Sequence, residues 1–143
     1  MLTVAGIAAT GAVGVWLGAI VFFSFFVAPR AFSVLGDDEA GELVNAVFPV
    51  YYSFGVVLGV VGVAAGLGRG ALSEFGLYLG LYVATVGLSV FVAALSRVYL
   101  VPRIEDADES KDEDAFEKYH DVSVKLNSVM LVSVVAALVF WHV

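Results

Sequence analysis

The chain contains no cysteine, which excludes disulfides, thiolate metal sites and cysteine nucleophiles. Charge is scarce as well. Charged residues make up 15% of the 143 positions and hydrophobic residues 61%, against about 25% and about 45–50% in ordinary soluble domains. A sequence this apolar lacks the polar side chains to cover a globule of its size. An ordinary soluble domain, a disordered segment and a nucleic-acid binder are therefore excluded, and a membrane protein remains.

The charge that is present is segregated. No charged side chain occurs in 1–29, 43–68, 75–96 or 126–143. A helix needs about 20 apolar residues to cross about 30 Å of hydrocarbon. The pattern predicts an all-α membrane protein, one domain over 1–143, with four transmembrane helices near 3–28, 44–67, 75–98 and 117–141. The first run has no basic start and far exceeds the roughly 7–15 apolar residues of a signal core, so a retained span is expected.

Basic residues orient the spans. Arg30, Arg97, Arg103, Lys111, Lys118 and Lys125 fall at one end, and only Arg69 at the other. This predicts a multi-pass protein of the cell (plasma) membrane with both termini outside. An acidic cytoplasmic loop is expected at 104–115. Nine of the seventeen residues of 105–121 are acidic, and the net charge is −7. The segment lacks the spacing of a calcium-binding loop, and reads as a halophilic acidic surface suited to a high-salt cytoplasm.

The chain also repeats itself. Ala28-Pro29-Arg30-Ala31 follows the first span and Val101-Pro102-Arg103-Ile104 the third. Phe48, Tyr51 and Tyr52 correspond to Phe116, Tyr119 and His120 at a constant offset of 68. Two similar antiparallel hairpins running in the same direction are predicted, a parallel internal repeat.

At about 100° per residue, Gly55, Gly59, Gly62 and Gly66 share a stripe of the second helix, and Gly11, Gly14 and Gly18 a stripe of the first. Helices in lipid associate through small residues and interhelical hydrogen bonds, so both stripes are expected to be packing seams, with homo-oligomers through the glycine-rich faces as a further use. On the fourth helix, Phe116, His120, Ser123, Asn127, Met130 and Val134 share one face. Polar groups at that depth mark a functional site by default. Tyr51, Tyr52, His120, Ser123 and Asn127 are the candidate ligand-binding residues. Interhelical hydrogen bonding is the competing role. Pro29-Arg30 and Pro102-Arg103 read as helix-end devices, with Arg30 and Arg103 as candidates for an anion or lipid headgroup.

Several chemistries find no residues. There is no nucleotide fingerprint and no mid-span carboxylate for a proton relay. Two methionines and no cysteine argue against soft-metal transport. No metal site, cofactor or catalytic residue is expected, and the chain leans away from being an enzyme.

The runs G-V-W-L-G (14–18), A-P-R-A-F (28–32), A-G (40–41), F-P-V-Y-Y (48–52), V-P-R-I (101–104) and F-E-K-Y-H-D-V-S-V-K-L-N (116–127) resemble the transmembrane protein 205-like family of small four-helix membrane proteins, whose prokaryotic branch is of unknown function. Its animal member is associated with resistance to platinum drugs, so the resemblance implies export or trafficking. The absence of cysteine here removes any thiol-dependent metal route. A weaker similarity links the family to four-helix copper-resistance and haem-pathway membrane proteins, whose additional histidines are missing. Three functions are carried forward: small-solute or ion transport, permeation or export-type resistance; a non-catalytic structural or accessory membrane subunit; and a haem- or quinone-linked redox protein.

Overall fold

A computed structural model describes residues 2–143. Four helices are long and apolar enough to cross a membrane: α1 (Thr3–Val34), α2 (Asp37–Leu72), α3 (Leu77–Glu109) and α4 (Glu113–His142). No strand occurs among the described residues. The protein is an all-α integral membrane bundle, in contact with the lipid bilayer.

The connections are two to four residues long, which makes sequential helices antiparallel neighbours. α1 packs on α2 and α4, and α3 packs on α2 and α4. The result is a four-cornered bundle with α1 diagonal to α3 and α2 diagonal to α4. The α1–α4 seam is the least extensive of the four.

Every helix is longer than expected. α2 has 36 residues, about 54 Å at 1.5 Å per residue, against about 30 Å of hydrocarbon. Its first turn carries Asp37, Asp38 and Glu39, placing negative charge at the positive end of the helix dipole, and Glu39 accepts from the Gly36 N–H. The segment expected as an acidic loop over 104–115 is helical except at 110–112. Ile104 and Ala107 are buried beneath it, and Asn45 on α2 donates to Asp108. The chain turns at Lys111, whose φ is 53°. Asp112 then caps α4, its Oδ1 accepting from the Ala115 N–H at 3.0 Å.

The prolines do not end the helices as expected. A proline ring clashes with the carbonyl four residues back and lacks an N–H to bond it. For Pro29 and Pro102 that carbonyl belongs to Phe25 and Val98. Both lie in π-helical turns, Phe23–Val27 and Ser96–Leu100. There the Ala28 N–H bonds the Phe23 oxygen and the Val101 N–H the Ser96 oxygen. The wider turn makes room for the ring, and the helix continues. Each π-turn ends two residues before its proline, so the two hairpins share this feature.

The second helix's glycines form the expected seam. Gly55, Gly59, Gly62 and Gly66 are all buried. A Cβ on Gly55 would stand 2.6 Å from Trp16 Nε1, and one on Gly66 2.8 Å from the Tyr82 ring. Trp16 is 1% exposed and Tyr82 0%, so the absent side chains of α2 are the sockets for two large rings. The Tyr82 hydroxyl donates to the Gly62 carbonyl at 3.0 Å.

The first helix corrects the expectation. Gly11 and Gly18 are exposed and Gly14 is half-buried, and a Cβ on any of them would meet nothing within 4 Å. The packed face of α1 is Ala9, Ala12, Val13, Trp16 and Ile20. Close approach is governed by glycines on α2, so α1 supplies the bulk that fills them.

Candidate functional site

Toward the Pro-Arg end the bundle holds a cavity of about 390 Å³ between α1, α2 and α4. Phe23, Ser24, Phe25 and Pro29 line it from α1, Phe48, Tyr51 and Tyr52 from α2, and His120, Ser123 and Asn127 from α4. All five residues singled out from the sequence as ligand-binding candidates thus stand on the wall of one cavity. From His120 to Leu131 it follows α4 over eleven residue steps, about 16 Å. Phe25, Val124 and Ser128 are exposed and also line it. The cavity therefore opens sideways, along the seam where α1 and α4 pack least.

The α1 wall depends on the π-turn, which contains both Phe23 and Ser24. An inserted residue of this kind re-aims side chains and is frequent at functional sites. Asn127 Nδ2 donates to Ser24 Oγ at 2.8 Å, and the Tyr51 hydroxyl donates to Asn127 Oδ1 at 2.5 Å. Ser24, Asn127 and Tyr51 thus form one chain of hydrogen bonds across α1, α4 and α2. Ser24 escaped the sequence reading. Its signal was there, since it is the one hydroxyl residue in the stretch 11–29.

The other candidates are used differently. Ser123 Oγ donates to the backbone carbonyl of His120 at 2.7 Å, a bond within its own helix, so it does not hold the imidazole. His120 stacks on Phe116 with centroids 6.0 Å apart and planes 7° from parallel. Its counterpart in the first hairpin is the Phe48–Tyr52 pair at 5.7 Å. No hydrogen bond to the His120 ring occurs among the described residues, and the Tyr52 hydroxyl lies beside the Ser96 hydroxyl of α3. Tyr51 packs against Phe23 and Tyr52, at 5.0 and 5.1 Å, which gives the cavity an aromatic wall. No lining residue carries a fixed charge.

The two arginines do not line this cavity. Arg103 donates to the Tyr119 hydroxyl at 3.1 Å and lies 4.1 Å over the Tyr99 ring, a cation–π contact. Arg30 is exposed and makes no side-chain hydrogen bond or ion pair among the described residues. Lys125 is paired with Asp121 one turn away on the exposed face of α4.

At the opposite end Trp141 lies 4.7 Å from the Tyr82 ring, with the Arg69 guanidinium 4.7 Å above it. His142 bonds the Leu138 carbonyl. It stands 22 residues beyond His120 on the same helix, about 33 Å away, so the two cannot ligate one haem iron. No cluster of three metal-ligating side chains occurs among the described residues. Ser96, at the start of the second π-turn, is fully buried, and its hydroxyl makes no well-formed hydrogen bond among the described residues, with the Tyr52 hydroxyl beside it.

Residues 11–113 match the family described as Domain of unknown function (DUF4149). An uncharacterized protein of Aquifex aeolicus (strain VF5) is 36% identical over 116 residues, covering 81% of this chain and 80% of that one. No solved structure matches.

Proposed function

The chain belongs to the DUF4149 family, and we propose that it binds a small solute drawn from the bilayer and moves or exports it. The observation that carries this is the cavity at the α1–α4 seam. Its volume of about 390 Å³ lies within the roughly 300–1,000 Å³ of small-molecule sites. Its side opening faces the part of the surface that lipid covers. Tyr51, Tyr52, His120, Ser123 and Asn127 form the site, with Asn127 holding three helices together and His120 free to meet the solute. The uncharged walls favour a neutral solute over an ion, because a bare charge placed there would have no counter-charge. The likeness to the transmembrane protein 205-like family supports the same export-type role.

The accessory-subunit alternative draws on the Ser24–Asn127–Tyr51 chain, which as interhelical glue needs no ligand. Arg30, exposed and unpaired, is the better of the two arginines for a lipid headgroup. The Pro-Arg end is cytoplasmic in this proposal, with both termini outside the plasma membrane. The outward stripe of Gly11, Gly14 and Gly18 offers a face for a second copy.

Native mass spectrometry of protein released from its own membranes tests the reading. Wild type carries the added mass of a small molecule, and Val124→Phe, which fills the exposed rim of the cavity, carries none. Identical bare spectra for both contradict it.

A further inference from the structure

Resting on that reading, we propose that the ligand class is a neutral, lipid-dissolved molecule with a flat ring bearing carbonyl oxygens, a quinone being the simplest example. Three features of the wall select this class. The first is aromatic surface. Phe23, Tyr51 and Tyr52 present contiguous rings 5.0 to 5.1 Å apart, and flat rings gain most against other rings at such separations.

The second is hydrogen-bonding capacity left over inside an apolar space. The His120 ring nitrogens have no partner among the described residues, whereas the Tyr52 hydroxyl, on a side chain only 2% exposed, lies beside the Ser96 hydroxyl of α3. A neutral imidazole and a phenol can each donate one hydrogen bond. Tyr52 on α2 and His120 on α4 occupy equivalent positions of the repeat, so they face the cavity from helices on opposite corners. A carbonyl oxygen on a flat ring stacked against the aromatic wall can accept from His120. A simple aliphatic alcohol could accept the same bond but offers no flat ring to the aromatic wall.

The third is neutrality with access from lipid. The lining has no fixed charge, and the opening is flanked by Phe25 and Val124, which are 61% and 51% exposed. A ligand that dissolves in the bilayer reaches the cavity without crossing the acidic end of the protein. No redox step follows from this. The assignment is of a binding site.

The test is titration of menadione, a short quinone, into the purified full-length protein in detergent. Quenching of intrinsic fluorescence is followed, with empty micelles as background. The expected result is saturable binding of one quinone per chain. It is weakened about three- to tenfold in His120→Ala, as loss of one hydrogen bond predicts, partly restored in His120→Gln, and lost in Val124→Phe. Thermal protection by 1-decanol is measured alongside. Protection by decanol without saturable quinone binding overturns the ligand class and leaves the cavity as a solute site. Absence of both overturns the solute site as well. Quinone binding unchanged in His120→Ala and Val124→Phe places the ligand elsewhere and also overturns the assignment.

Discussion

The Tyr51 hydroxyl donates to Asn127 Oδ1 between helices that stand on opposite corners of the bundle. Asn127 passes the connection on to Ser24 in the π-turn of α1. Three helices therefore depend on one amide, and the cavity lies where those three meet. The seam that this chain spans, between α1 and α4, is otherwise the loosest in the fold.

Tyr51→Phe and Ser24→Ala should each lower stability by about 0.6 kcal/mol and by no more than about 1.7, the mean and the largest value measured for interhelical hydrogen bonds in one membrane protein. Because both bonds end on Asn127, the double variant with Asn127→Ala should cost less than the sum of the singles. A thermal or denaturant double-mutant cycle in detergent measures this. Strict additivity would show that the three groups act separately.

The glycine faces of α1 and α2 should respond oppositely. Gly59→Leu must displace Trp16 and Val90, the side chains its Cβ would meet, and overpacking of this kind costs about 1–3 kcal/mol or more. Gly14→Leu meets open space and should leave melting of the monomer unchanged. Equal losses for the two would place the α1 stripe inside the bundle.

Ser96→Ala should be neutral or stabilising. The hydroxyl is buried and makes no well-formed hydrogen bond among the described residues, although the Tyr52 hydroxyl lies beside it, and an unsatisfied polar group costs about 1–3 kcal/mol. A clear loss of stability on removing it, measured by thermal unfolding, would show that it is paired with the Tyr52 hydroxyl.

A tag at the C-terminus should be reached by an impermeant reagent on intact cells, because six of seven basic residues lie at the opposite end. Labelling only after permeabilisation would reverse the orientation.

The spans, the α2 seam and the polar face of α4 were legible in the sequence. Charge-free runs mark spans because charge is costly in hydrocarbon, and the polar residues that share one face of α4, Ser123 and Asn127, turn inward while the lone Ser128 does not. The packed face of α1 was not legible. That helix is apolar all round, and lipid gives it no amphipathic pattern, so Gly11, Gly14 and Gly18 looked as good a seam as Val13 and Trp16. The π-turns were hidden for a different reason. Pro29 and Pro102 announce a disturbed helix, but whether it stops or widens is decided by packing on its neighbours. Ser24 reaches Asn127 from within such a turn, so its role could not be read from a regular helical wheel.

In the proposed site Asn127 holds the bundle while His120 is left free for a ligand. The most direct measurement compares the melting temperatures of Asn127→Ala and His120→Ala in detergent without added ligand. Asn127→Ala leaves the Tyr51 hydroxyl and Ser24 unpaired and should melt well below wild type. His120→Ala removes a side chain with no hydrogen-bond partner and should melt close to it. A His120→Ala protein as destabilised as Asn127→Ala would make the histidine a structural element and contradict the claim.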